Sequence, residues 1–164
     1  MNKFRLACLF MLCTLFTPVF SQINITEVGQ LTYAEGLNDI WGYEDPSGHE
    51  YALVGTETGF SIVDVSTDAA NPTELFFVSG PATLWRDVKV WGSHAYVTHE
   101  TPYSATEEGI GLLIVDLSNL PNSIDTATWQ GDSIDLKTAH NIFMDENGIA
   151  HVVGSNYGIG GSLM

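Results

Sequence analysis

Three equivalent positions carry an oxygen-bearing side chain at nearly constant spacing: Asp39, Asp87 and Asn141, 48 and 54 residues apart. Oxygen ligands converging from such positions would suit Ca²⁺, a hard cation that takes six to eight of them. The competing reading is that each side chain accepts N–H groups of its own turn. A second equivalent set is Glu57, Glu100 and Asn156. His99 precedes Glu100 and His140 precedes Asn141, so His99, Glu100 and His140 offer a mixed nitrogen–oxygen metal site. Trp85, Arg86, His99, Glu100, His140 and Asn141 together form the candidate ligand-binding set, with Asp39, Asp87 and Asn141 as the candidate metal set.

Other chemistries lack support. No Gly-x-Ser-x-Gly elbow and no His-Glu-x-x-His pair occurs. The glycine-rich run at 158–161 is followed by no lysine, so it does not cradle a phosphate. The pairs Glu44–Asp45 and Glu107–Glu108 are adjacent in sequence. Neighbouring strand residues point to opposite faces, so neither pair makes an acid/base dyad. No catalytic residue is assigned. An enzyme reading remains the alternative: a metal-dependent, hydrolase-like site built from Asp39, Asp87, His99, Glu100, His140 and Asn141.

A repeat of about fifty residues must position these groups. The first copy runs from Asn38-Asp39-Ile40-Trp41 through Glu50-Tyr51-Ala52-Leu53-Val54 to Ser61-Ile62-Val63-Asp64. The second runs from Arg86-Asp87-Val88-Lys89 through Ala95-Tyr96-Val97 to Leu113-Ile114-Val115-Asp116. The third runs from His140-Asn141-Ile142-Phe143 through Ala150-His151-Val152-Val153 to residue 164. β-Branched and aromatic residues dominate each segment, and turn formers separate them, as strands require. Asn147-Gly148 lies between two apolar runs, a hairpin signal. Fourth strands are expected over 74–78 and 126–129. A period near fifty with three or four short strands matches propeller blades. The expected fold class is all-β and β-propeller-like, with blades at about 33–80, 81–131 and 132–164.

The third copy stops where the first two continue, and three blades leave strand edges open. The chain is therefore expected to be an N-terminal fragment of a larger closed propeller, its remaining blades belonging to the same polypeptide. Closure by oligomerisation is the other option. Aromatics at Trp41, Trp85, Trp91 and Trp129 fit blade packing. Trp85 is the best placed for exposure, because it precedes Arg86 in a polar loop.

Residues 1–21 read as a signal peptide. Lys3 and Arg5 precede an apolar run at 6–16, and Val19 and Ser21 suit cleavage before Gln22. Both cysteines, Cys8 and Cys13, fall inside it, so the mature chain is expected to lack thiol chemistry. Cleavage leaves 3 basic residues against 20 acidic ones, a net charge of −17. Such a field repels nucleic acid and anionic lipid, and no membrane insertion is expected after cleavage. It favours cations, basic proteins or neutral glycans; the same acidity also serves solubility alone.

The cores Ser61-Ile62-Val63-Asp64-Val65-Ser66 and Leu113-Ile114-Val115-Asp116-Leu117-Ser118 resemble the LVIVD repeat of bacterial exported proteins. Asp39 to Tyr43, Glu50 to Gly55, Leu84 to Val90 and Thr138 to Ile142, in that order, resemble the choice-of-anchor B family. The Ser21-Gln22 junction is similar to signal peptides of Bacteroidetes-type bacteria. The resemblance implies a secreted or cell-surface propeller-like module and implies no activity. The expected function is recognition of a protein or glycan ligand through rim loops, including 101–109 and 154–161.

Overall fold

A computed structural model describes residues 25–100 and 109–156. The expected signal peptide, loop residues 101–108 and the glycine run at 158–161 lie outside the described residues.

The described residues form strands and no helix. Sheet one holds β1 (Leu37–Glu44), β2 (Glu50–Thr56), β3 (Gly59–Asp64) and β4 (Thr73–Ser79) in sequential antiparallel order. Sheet two repeats this with β5 (Val88–Trp91), β6 (His94–Val97), β7 (Leu112–Asp116) and β8 (Asp125–Trp129). β9 (Asn141–Met144) and β10 (Ala150–Val153) form a two-stranded third sheet. The expected fourth strands are thus present. β1 lies beside β5, and β5 beside β9, so the first strand of each copy is the innermost. The described residues form no closed ring.

Strand alternation explains why β6 after His94 and β7 before Asp116 are apolar on both faces. Ala95, Val97, Leu113 and Val115 pack with Tyr51, Leu53, Phe60 and Ile62 of sheet one. Their neighbours Tyr96, Leu112 and Ile114 pack with Ile142 and Val152 of the third sheet. A period of two sends successive residues to opposite faces, and here both faces are covered. Pairing of Ala95 with Val115 and of Tyr96 with Ile114 keeps the two sets in register.

Polar side chains close the turns, and they repeat too. Asp45 Oδ1 accepts the N–H of Ser47 at 2.8 Å and of His49 at 3.0 Å. Asp145 Oδ1 accepts the N–H of Asn147 and Ile149, both at 2.9 Å. Gly48 and Gly148 follow at φ +86° and +80°, left-handed values that a Cβ would disfavour. The Asp ending each third strand caps the next turn. Asp64 Oδ1 accepts the N–H of Ser66 at 3.0 Å and of Thr67 at 2.9 Å, and Asp116 Oδ1 that of Ser118 at 2.8 Å. Asp64→Ala is expected to lower unfolding free energy by about 1 kcal/mol, and Asp64→Asn by less. Urea midpoints at constant slope measure both.

Candidate functional site

Asp39 and Asp87 reach beyond their own turns. Asp39 Oδ2 accepts the Val88 N–H at 2.8 Å, and Asp87 Oδ2 accepts the Ile142 N–H at 2.8 Å. Each carboxylate therefore holds the innermost strand of the following sheet, at the residue after its own counterpart. Lys89 joins the two. Its ammonium is paired with Asp87 Oδ1, lies 3.6 Å from Asp39 Oδ2 and sits 4.7 Å from the centroid of the Trp41 ring.

Burial, and then the proximity of Asp39, raises the Asp87 carboxyl above the usual range. Asp39 is also desolvated, but hydrogen bonds from Asp87 and from the N–H groups of Val88 and Ile40, with the Lys89 charge, hold its carboxyl low. The pair thus shares its charge unequally around one cation. That cation is the chain's own ammonium, so these residues do not fit Ca²⁺, which needs several more oxygens. Asn141, the third member of the expected metal set, is exposed at the start of β9. Among the described residues, no group of three or more His, Cys, Asp and Glu side chains is placed to hold a metal ion.

Two residues expected to bind ligand lie in the interior. Arg86 is 4% exposed. Its Nε donates to the Thr56 carbonyl at 3.0 Å and its Nη2 to the Pro81 carbonyl at 2.7 Å, tying sheet two back to sheet one. Burial pulls the guanidinium down to about 10, which still leaves it charged near neutrality. Adjacent positions explain the contrast with Asp87: Arg86 turns toward the preceding sheet and Asp87 toward the following one. His99 is 1% exposed, and its Nε2 accepts the Ile110 N–H at 3.4 Å. Burial first, and Arg86 second, push the imidazole down to about 4. Enclosed, and with its Nε2 turned to the Ile110 N–H, it does not join the surface pair of Glu100 and His140 in the mixed metal site expected from sequence.

Trp85, Glu100 and His140 do come together at the surface. All three stand at the end of the sheets where the innermost strands begin and the second strands finish. Trp85 is 50% exposed, and its ring centroid lies 6.4 Å from that of His140. His140 Nδ1 pairs with Glu100 Oε2, and both side chains remain partly open to solvent. The backbone locks this arrangement. Glu100 N–H donates to the Trp85 carbonyl at 3.0 Å, and His140 N–H to the Val153 carbonyl at 3.1 Å. Gly154, at φ +65°, permits the approach of His140, whose Cβ would lie 2.5 Å from a Cβ placed at that glycine.

Thr83 is the residue that the sequence did not flag. It is 5% exposed, its Oγ1 accepts the Trp85 N–H at 3.1 Å, and its hydroxyl donates to the Glu100 carbonyl. One threonine thus sets the spacing of two surface groups, one before β5 and one after β6. A threonine in a polar loop gives no sequence signal for such a role. The remaining equivalents fix neighbouring loops: Glu57 offers its carbonyl to Thr83 N–H, and Asn156 Oδ1 accepts the N–H of Lys137 and Thr138.

Stacked antiparallel sheets, with their first strands side by side and carboxylates linking each to the next, define a propeller-like β-repeat module. The LVIVD repeat matches residues 47–80 and 85–124, so the chain carries two copies of that repeat. No curated protein and no solved structure matches the chain.

Proposed function

We propose that this chain is an exported binding or scaffold module of the choice-of-anchor B type, secreted or held at the cell surface. It recognises a protein or glycan ligand through the face bearing Trp85, Glu100 and His140. The observation that carries the reading is the half-exposed indole fixed beside an imidazole–carboxylate pair. An aromatic surface and directional polar groups at one place suit selective recognition. The interior positions of Arg86 and His99 support the face as its frame, leaving contact to the three outer side chains. The net charge of −15 disfavours nucleic acid and anionic lipid as the ligand.

Two measurements test this. Expressed with residues 1–21 in a bacterium, the protein is expected outside the cytoplasm with Gln22 as its first residue. Recovery from the cytoplasm with Met1 retained would overturn the export reading. Against a panel of basic, acidic and neutral peptides and of oligosaccharides, Trp85→Ala combined with His140→Ala is expected to lose at least tenfold in affinity for whatever binds. An unchanged melting temperature must accompany that loss. Undiminished binding would place recognition elsewhere on the molecule.

A further inference from the structure

The chain itself shows how it holds a cation. Lys89 is taken by the Trp41 ring on one side and by the carboxylates of Asp39 and Asp87 on the other. The outer face offers the same two kinds of group, an indole and a carboxylate, with no lysine or arginine among the described residues paired to them. Trp85 presents an indole, and Glu100 presents a carboxylate steadied by His140.

The lysine and arginine side chains among the described residues are engaged elsewhere. Arg86 is buried on the Thr56 and Pro81 carbonyls, Lys89 is in the relay, and Lys137 pairs with Asp135 at 3.5 Å. None of these three is left to pair with Trp85 and Glu100. The acidic field of the chain raises the local concentration of cations. Indole faces attract ammonium and guanidinium groups more strongly than other aromatic rings do, and a neighbouring carboxylate adds a charge-assisted hydrogen bond.

We propose that Trp85 and Glu100, with His140 as the positioning residue, take a lysine or arginine side chain from a basic segment of a partner protein. The proposal rests on the reading of this face as the recognition surface, and it selects a protein ligand over a glycan.

The test titrates the purified protein with two probes: a peptide of four arginines spaced by glycine and serine, and a neutral tetrasaccharide of β-linked N-acetylglucosamine. The arginine peptide is expected to bind, and more weakly as salt rises. Trp85→Ala and Glu100→Gln are each expected to reduce its affinity roughly tenfold, and Trp85→Phe by less. Glu146→Gln removes the same charge in the β9–β10 turn, at the opposite end of the sheet, and is expected to change nothing. Equal losses in Glu100→Gln and Glu146→Gln would mean attraction to net charge alone and would overturn the proposal. Trp85-dependent binding of the tetrasaccharide without the peptide would overturn it while leaving the recognition face standing. Failure of both probes, or binding of both undiminished in Trp85→Ala, would remove the proposal and the reading beneath it. Trp85→Phe, with the thermal midpoint of each variant, separates lost contacts from lost folding.

Discussion

Asp87→Ala is expected to lower the unfolding free energy by about 3 kcal/mol, the cost of removing one partner from a buried charged network. Asp87 is 7% exposed and serves two groups at once, the Ile142 N–H and the Lys89 ammonium. Alanine leaves a buried N–H without its acceptor, because Ile142 is fully buried. It also leaves Lys89 facing Asp39 alone. Asp87→Asn keeps an oxygen for Ile142 and removes only the charge, so it is expected to cost less than half as much. Asp39→Ala should fall between them, since the Asp39 side chain is 29% exposed and water can replace part of what it does. Urea titrations read all three. A loss below about 0.5 kcal/mol in Asp87→Ala, the range of an ordinary surface substitution, would mean that packing alone joins the sheets.

Acid is expected to weaken the protein well above the pH at which carboxylates titrate. In the unfolded chain His99 takes up its proton near 6.5. In the fold, burial and the Arg86 charge push it down to about 4. Between those values the unfolded chain binds a proton that the folded one refuses, so stability falls as pH is lowered through this window. The gap corresponds to about 3 kcal/mol, complete near pH 4 and absent above pH 7. His99→Gln is expected to flatten the slope between pH 6.5 and 4. Asp45, Asp64, Asp116 and Asp145, which local hydrogen bonds hold below the usual carboxylate range, add their own loss only below that window. A slope unchanged in His99→Gln would assign the acid response to other groups.

The repeat period gave the strands away, because hydrophobic alternation and turn chemistry are local. Even the fourth strands over 74–78 and 126–129 are within two residues of β4 and β8. The equivalence of Asp39 with Asp87, and of Glu57 with Glu100, follows from the same period. What each equivalent residue touches does not, because contact between sheets depends on how one sheet rotates against the next. Asp39 and Asp87 looked like cation ligands or turn caps, and both instead hold a strand of the following sheet. Arg86 and Asp87 are adjacent and both polar, a pattern that reads as a loop, yet both are buried. Their burial requires a sheet on either side, which a single strand's sequence does not state. Trp85 was legible as an exposed group and Glu100 and His140 as candidate ligand residues, but their common position rests on Thr83 and Gly154, which carry no such sign in the sequence.

The links from Asp39 to Val88 and from Asp87 to Ile142 point the same way along the chain, always from an earlier sheet to a later one. The array consequently has a direction. When a polypeptide is made from its N-terminus, each acceptor exists before the N–H it will take. Every new innermost strand thus emerges beside a neighbour already equipped to seize it, while the reverse order offers an N–H with nothing to receive it. One kind of bond thus carries the register from each sheet to its successor.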